Sequence, residues 1–439
     1  MSAFEPLFVP DPLRDAVSGA AWLGAMLDAE RALARANERA GVVPAAAAAA
    51  IADACAPDAY DWDVLLEQGR AVGNPVEPLV RALRARVDAE HARYVHFGAT
   101  SQDVLDTAAM LVTRDALGLV APELDRLAGL CAGLARAHRS TPAVARTLLQ
   151  HAVPTTFGLV AAGWLVGVLD ARQRVVELRE HGLAAQLGGA AGTLAALGDV
   201  GLRVAELFAA ELALEPATLP WHTNRVRIAE LGAALATSAG VAAKIGLDVA
   251  LRSQIEVGEV REAAGGGSST MPQKQNPVHA TMARACARAA AGHASVLQAS
   301  LAGEYERAAG AWHAEWDALN GVLACGGAAV AAAAASLDGL VVDADRMRAN
   351  LDMTGGLVVS ERVAFRLADV LGRDAGQELV AAATATEQPF REALLADPRL
   401  PLSETELDAL LDPTTYVGSA EALTDRALAR YDDEVEVSV

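Results

Sequence analysis

The sequence predicts an all-α protein, and three features of its 439 residues point to this fold class. Hydrophobic residues make up 53% of the chain but aromatic residues only 4%, because alanine supplies many of the apolar positions. The long periodic segments are rich in alanine, leucine, glutamate and arginine, which all favour helices. The strict alternation of apolar and polar residues that marks strands is scarce. Since alanine is small, we expect closely packed helices.

Residues 1–104 predict a first domain of short helices. After an irregular, proline-containing start, a helix over residues 20–41 places Trp22, Met26 and Leu33 at helical spacing. Glycine, asparagine and proline interrupt the helical pattern that follows this helix.

Residues 105–342 predict a second domain, in which long helices with few connecting residues form an elongated bundle. Each predicted helix exceeds the usual length in globular proteins. Helices this rich in alanine and leucine bury more than one face, so we expect partner subunits to cover the faces that one chain leaves open. The predicted helices span residues 106–138, 155–183, 225–263, 276–302 and 311–337.

Residues 343–439 predict a small C-terminal helical domain. Gly355 and Gly356 are followed by Pro389 and Pro413, and these residues interrupt the pattern at short intervals. Because proline and glycine end helices, the elements here are expected to be short.

The charge and the chain's start exclude several classes of protein. A net charge of −20 argues against nucleic acid as a partner, since nucleic-acid binding needs a basic surface. The first residues show no signal peptide, and the apolar run over residues 322–335 is shorter than a membrane span. The four cysteines are far apart and form no metal-binding pattern. We expect a cytoplasmic protein with free thiols, no membrane contact and no metal or other cofactor.

One polar stretch stands out, the segment Gly265–Pro277, which we call the polar loop. Three consecutive glycines disfavour helix, and Ser268, Ser269 and Lys274 follow them. Lys274 is one of only two lysines in the chain. A flexible linker is the alternative, but a linker does not require this combination of hydroxyl, ammonium and amide groups. We expect a loop that is mobile without ligand and closes over a negatively charged substrate.

Two further segments carry candidate site residues. Residues 96–103 contain His96, Thr100 and Ser101 just before a long helix, where such groups either cap the helix or bind a substrate carboxylate. Residues 146–158 contain His151 within a polar cluster, and this histidine is either structural or functional.

The three segments together resemble the conserved regions of the fumarase/aspartase superfamily. Residues 267–277 match every fixed position of its signature, Gly-Ser-Ser-x-Met-Pro-x-Lys-x-Asn-Pro. The resemblance implies the three-domain all-α fold of that superfamily, with a central bundle of long helices. It also implies a small polycarboxylate substrate, and we expect a homotetramer in which each site takes the three segments from three different subunits.

The resemblance also implies roles for individual residues. Ser268 is expected to transfer the proton, with its oxyanion stabilised by Lys274, while His151 orients the substrate or the base. Lys274 is also expected to hold a substrate carboxylate. The remaining expected substrate contacts are His96, Thr100, Ser101, Gln150, Thr155, Ser269, Met271, Asn276, Arg307 and His313.

Residue 148 differs from the usual residue of the superfamily, and the difference limits the reactions that we expect. Most branches of the superfamily have histidine directly after the Arg-Thr pair, whereas this chain has Leu148. A carboxylate leaves as an anion without protonation, so an apolar residue fits a reaction with a carboxylate as leaving or attacking group. The segments 220–225 and 304–316 likewise resemble the 3-carboxy-cis,cis-muconate cycloisomerases, the lactonising enzymes of the protocatechuate branch of the β-ketoadipate pathway. For Trp312 and His313, simple helix packing is an equal alternative.

Two alternatives to lactonisation stay open. One is a lyase that releases fumarate from another substituted succinate, such as adenylosuccinate or a nitrosuccinate. Gln273 and Gln275 bear on this choice, because they replace the histidine and arginine common among the cycloisomerases. The other is a catalytically silent structural relative, as the crystallins of this superfamily are.

Overall fold

The computed structural model describes residues 3–267, 270–271 and 273–436, and these residues confirm the all-α fold class. The helices of the N-terminal part are α1 (Asp11–Ala16), α2 (Gly19–Arg39), α3 (Ala45–Ala54), α4 (Trp62–Gly69), α5 (Val76–Arg84) and α6 (Ala89–Ala92). The long helices are α7 (Ser101–Ala137), α8 (Phe157–Glu177), α10 (Val226–Arg252), α11 (Val278–Ala299) and α12 (Ala311–Leu337), with the shorter α9 (Gly201–Glu211) among them. The C-terminal helices are α13 (Ala344–Asp352), α14 (Ser360–Leu371), α15 (Arg373–Thr384), α16 (Phe390–Ala396), α17 (Glu404–Leu411) and α18 (Ala420–Glu436).

The described residues also form two short antiparallel sheets that the sequence did not predict. Strands β1 (Pro142–Thr147) and β2 (Gln150–Thr156) make a hairpin, and β3 (Val260–Arg261) pairs with β4 (Val341–Val342). Two predicted helix bounds are therefore wrong. Thr155 lies on β2 opposite Ala143 rather than at the start of a helix. The helix predicted over residues 225–263 ends at Arg252, and a turn containing Gly258 at φ +64° precedes β3.

The chain divides into two compact units, and each long helix passes from one into the other. The first unit comprises Met1–Asp125, Asp170–Ala243 and Met282–Ala332. The second comprises Arg126–Leu169, Lys244–Thr281 and Ala333–Val439. The division into domains 1–104, 105–342 and 343–439 stays a prediction.

The first unit is built around α2, whose predicted apolar face is buried. Met26 and Leu27 are fully buried, and Trp22 and Leu33 are nearly so. The helix packs against α3 and α9. The indole Nε1 of Trp22 donates to Asn320 Oδ1 at 3.0 Å, which connects α2 with α12 inside this unit.

The second unit has two apolar clusters. The larger one joins α14, α15, α16 and α17 through Val363, Leu367, Leu379, Leu394 and Leu407, all nearly or fully buried. The smaller one, with Val144, Leu351, Val358 and Val359, packs the β1–β2 hairpin against α13 and the turn before α14.

Two of the long helices, α10 and α12, are long and apolar enough to cross a membrane by length and composition alone. In α12, 67% of the most apolar window is buried within the structure, as in the core helix of a globular protein. A cytoplasmic location stays a prediction.

Candidate active site

The start of α7 is fixed by Asp103, which is buried. Its carboxylate accepts hydrogen bonds from the backbone N–H of Thr100 at 2.9 Å and from those of Gly188 at 3.0 Å and Gly189 at 2.9 Å. His222 Nε2 lies 2.7 Å from the same carboxylate. Asp103 thus orients the backbone around Thr100 and Ser101, whose side chains are half-buried at the helix start.

One turn further along α7, Asp106 belongs to a buried ion-pair network. The Arg225 guanidinium donates to both oxygens of Asp106, at 2.8 and 3.0 Å, and to both oxygens of Glu315, at 3.0 and 2.5 Å. Trp312 Nε1 also donates to Asp106, at 3.0 Å. Burial raises the pKa of Glu315, and Arg225 only partly opposes that shift. Trp312 is buried and connects α12 to this network.

Arg307 and His313 occupy different environments. Arg307 donates to Gln102 Oε1 at 3.0 Å and to the carbonyl of Ala190 at 2.9 Å, which connects the 304–316 segment to the start of α7. His313 is exposed, and its ring contacts the rings of Trp312 and Trp316 at centroid distances of 5.2 and 4.9 Å. Arg307 thus contacts the first predicted segment, whereas His313 contacts two tryptophans of α12.

His96 is held by a carboxylate from α2. Its backbone has φ +62°, and its Nδ1 lies 2.6 Å from the fully buried side chain of Glu30. Burial lowers the pKa of His96, but the charge of Glu30 and its hydrogen bond raise it more, so the net shift is upward. His96 therefore favours the protonated form more than a free histidine does.

The hairpin of residues 142–156, which we call the histidine hairpin, positions the second predicted segment. Arg146 on β1 lies opposite His151 on β2, and Thr147 pairs with Gln150 around a two-residue turn. Leu148 and Leu149 form that turn at φ +50° and φ +66°. Both side chains point into solvent, with Leu148 97% and Leu149 71% exposed.

His151 carries an unused buried ring nitrogen. Its Nδ1 has no hydrogen-bond partner among the residues that the structure describes. Burial and then the positive charge of Arg146 lower the pKa of the imidazole, although Glu259 opposes this shift. The imidazole therefore favours its neutral form more than a free histidine does, and an unprotonated ring nitrogen can accept a hydrogen bond or a proton.

The Leu148–Leu149 turn predicts a trade-off between stability and activity. Two-residue turns with both φ angles positive favour Asn-Gly, and bulky residues in this conformation are strained by about 1–3 kcal/mol each. We expect the double change Leu148→Asn and Leu149→Gly to raise the free energy of unfolding while lowering turnover. Urea denaturation and steady-state rates would measure both quantities. Unchanged stability would contradict the prediction that the turn is strained. Unchanged turnover would show that the two leucines have no role in the reaction.

The polar loop is closed at its base by a pair of backbone hydrogen bonds. Gly266 and Asn276 exchange N–H to carbonyl bonds at 3.0 and 2.9 Å. Lys274 is exposed, its N–H donates to the carbonyl of Met271 at 3.0 Å, and Met271 is 43% exposed. The predicted residues Ser268 and Ser269 lie outside the described residues. The mobility of the loop stays a prediction.

The predicted site residues divide between the two compact units. The first unit contains His96, Thr100, Ser101, Arg307 and His313, and the second contains Gln150, His151, Thr155, Met271, Lys274 and Asn276. Thr155 is half-buried, and Gln150 is exposed.

Sequence reasoning missed Glu30 and Glu259, which contact His96 and Arg146. The only available signal was the Glu259–Glu262 acidic pair within a short polar stretch before the loop. Such a pair is usually a solvated surface feature, so it did not indicate buried carboxylates.

Comparisons with known proteins show which family the chain belongs to. A family model described as Lyase matches residues 10–292, and one described as Adenylosuccinate lyase C-terminus matches residues 356–427. The chain is 48% identical over 450 residues to a nitrosuccinate lyase from Streptomyces davaonensis, covering 98% of this chain and 95% of that protein. It is 47% identical to a 3-carboxy-cis,cis-muconate cycloisomerase from Bradyrhizobium diazoefficiens, covering 97% and 98% of the two chains.

A solved structure extends the similarity to the whole fold. The 3-carboxy-cis,cis-muconate lactonizing enzyme from Pseudomonas putida superposes with a TM-score of 0.92 at 42% identity, covering 98% of this chain and 99% of that one. The match to the first family model spans residues 96–103, 146–158 and 265–277 of this chain. The chain therefore belongs to the fumarase/aspartase superfamily of lyases.

Proposed function

We propose that this protein is a cycloisomerase that interconverts 3-carboxy-cis,cis-muconate and 4-carboxymuconolactone. The observation that carries this proposal against an amine-releasing lyase is Leu148, an apolar and 97% exposed side chain three residues before His151. Full-length relatives named as cycloisomerases support it, with identities of 47% for the Bradyrhizobium protein and 46% for one from Pseudomonas aeruginosa.

The chemistry explains why Leu148 favours this reaction. In lactonisation a carboxylate oxygen of the substrate adds across a carbon–carbon double bond, and in the reverse direction the carboxylate leaves. A carboxylic acid has a pKa near about 4, so the leaving group departs as a stable anion without a proton donor. An amine leaving group, in contrast, needs protonation. Leu148 cannot supply a proton, and lactonisation does not require one there.

The remaining steps use groups already described. Addition of the carboxylate places negative charge on the carbon next to another carboxylate, giving an aci-carboxylate that fixed donors must stabilise. Neutral Ser268 then donates a proton to that carbon, and Lys274 stabilises the serine oxyanion until it takes a proton from solvent. His151, whose lowered pKa favours the neutral ring, orients the substrate. Thr100, Ser101, Thr155 and Asn276, together with Lys274, hold its carboxylates.

The proposal includes a homotetramer with shared sites. The long helices α7, α8, α10, α11 and α12 supply extended surfaces for such a core. Each site would combine residues 96–103, 146–158 and 265–277 from three different subunits. Sedimentation velocity on the purified protein measures this directly, and a fully active monomer would contradict it.

A second candidate, nitrosuccinate lyase, is favoured by the 48% identity to the Streptomyces davaonensis enzyme. Nitrite, like a carboxylate, is the anion of an acid and leaves without protonation. Leu148 therefore fits both reactions and excludes neither of them. The two differ in their products, since a nitrosuccinate lyase releases nitrite and fumarate whereas the cycloisomerase releases nothing.

One set of assays separates these candidates. Purified protein is given 3-carboxy-cis,cis-muconate and, separately, nitrosuccinate, adenylosuccinate and argininosuccinate. We expect ultraviolet absorbance to fall as the muconate diene is consumed, with little fumarate from either amine-releasing substrate. Nitrite release without loss of muconate would establish the second candidate. Fumarate release from adenylosuccinate or argininosuccinate, with muconate unchanged, would overturn both.

A further inference from the structure

The second compact unit contains a buried carboxylate, Glu259, that contacts two arginines. Arg146 donates to both of its oxygens, from Nη1 to Oε2 at 3.1 Å and from Nη2 to Oε1 at 2.6 Å. Arg252 Nη1 donates to Oε2 at 2.6 Å. Asn350 Nδ2 donates to Oε1 at 2.9 Å. The Glu259 side chain is 0% exposed, so these contacts are shielded from water.

Glu259 connects the histidine hairpin with the part of the chain that leads into the polar loop. Arg146 lies opposite His151 in the histidine hairpin, so its guanidinium connects that hairpin to Glu259. Directly after Glu259 the chain forms β3, and Glu262 then accepts the N–H groups of His279 at 3.2 Å and Ala280 at 2.8 Å at the start of α11. The polar loop runs between Glu262 and α11. A displacement of Glu259 would therefore shift both the histidine hairpin, through Arg146, and the chain that leads into the polar loop.

The three charges are not equivalent. Arg146 makes a two-pronged contact with Glu259, which fixes the plane of the guanidinium as well as its distance. Arg252 makes a single hydrogen bond and also lies 5.7 Å from the ring of Phe157. Burial raises the pKa of Glu259, but the contacts with Arg146, Asn350 and Arg252 lower it more. Glu259 is therefore charged in the folded protein, and the pairing with Arg146 is the contact that reaches the hairpin.

We propose that Glu259 is a positioning residue that acts through Arg146 to fix the direction of His151 in the histidine hairpin. Both terminal nitrogens of the Arg146 guanidinium donate to Glu259, so the role of Arg146 is to hold the hairpin in position. The inference rests on the proposed role of His151 in the reaction. It adds a residue that lies outside the three predicted segments. This residue is a buried carboxylate between residues 146–158 and 265–277 of the chain.

Three glutamine variants from the same cluster test the proposal. Arg146→Gln leaves a one-to-one Arg252–Glu259 pair, so folding is kept while the hairpin loses its anchor. Arg252→Gln leaves the two-pronged Arg146–Glu259 pair in place and serves as the matched control. Glu259→Gln removes the negative charge and one of the two carboxylate oxygens to which the arginines donate.

We expect kcat to fall at least about tenfold in Arg146→Gln and Glu259→Gln, because small misplacements of a site group are costly. KM should change less than about threefold in both, and Arg252→Gln should keep both constants within about threefold of the unmodified protein. Equal losses of kcat in Arg146→Gln and Arg252→Gln would overturn the proposal, since only burial of charge would then matter.

Hydrogen exchange of residues 142–156 supplies a readout that needs no substrate. Exchange should be at least about tenfold faster in Arg146→Gln and Glu259→Gln than in Arg252→Gln. Unchanged protection of the hairpin in Arg146→Gln would overturn the anchoring role, whatever the substrate. A different result separates the two proposals. If the hairpin loses protection in Arg146→Gln and Glu259→Gln, but the unmodified protein turns over neither muconate nor nitrosuccinate, the proposed function is wrong and the anchoring role of Glu259 still holds.

Discussion

Ser268→Ala should lower kcat at least about 100-fold, within the usual range for losing a general acid or base. The proton that Ser268 donates is needed only as the carbanion forms, so the loss falls on the transition state. KM should therefore change little. The measurement is the steady-state rate of muconate loss for the variant beside the unmodified protein.

The neighbouring hydroxyl provides a matched control for this experiment. Ser269→Ala removes the same group one residue later and should lower kcat much less, because Ser269 is proposed to contact substrate rather than to transfer the proton. Near-normal turnover of Ser268→Ala would exclude Ser268 as the proton donor. A larger loss in Ser269→Ala would transfer the role to that residue.

Arg225→Met should cost about 3–5 kcal/mol of unfolding free energy, because it leaves two buried carboxylates without their partner. Arg225, Asp106 and Glu315 have side chains only 3% exposed, so water cannot replace the lost contacts. Of the two carboxylates, Glu315 has a pKa that is raised even with Arg225 present. Urea denaturation monitored by circular dichroism gives the free energy.

The control for this variant is an arginine of the same unit at the surface. Arg70 pairs with Glu67, with side chains 78% and 67% exposed, and such pairs contribute at most about 1 kcal/mol. Arg70→Met should therefore change stability by less than that. If Arg225→Met lost no more than Arg70→Met, the buried network would not be what holds the start of α7 against α12.

Local sequence patterns were sufficient to predict the fold class and the main helices. Composition and apolar spacing predicted α2, and its residues Trp22, Met26, Leu27 and Leu33 are buried. Each helix depends on contacts within one turn of the chain, so its pattern is visible in the sequence. The superfamily was also recognisable, because the signature at residues 267–277 is continuous.

Sheet pairing was not predicted, since it depends on residues distant in the chain. The sequence indicated a helix through residue 263, but Val260 pairs with Val342 and Arg261 with Val341. Thr155 was assigned to a helix start, yet the hairpin places it opposite Ala143. A strand of two residues has no detectable periodicity, so only the folded chain reveals it.

The candidate groups, including His151, Lys274 and the apolar Leu148, are recognisable from local sequence patterns. The sequence could not determine which of 56 acidic residues become buried, because burial depends on what packs around each one. Only the folded chain shows which of them are buried. Glu30 contacts His96, and Asp106 and Glu315 both pair with Arg225. Glu259 pairs with both Arg146 and Arg252. Removing a carboxylate from water is costly unless cations or N–H donors replace the water, and those partners come from segments far along the chain.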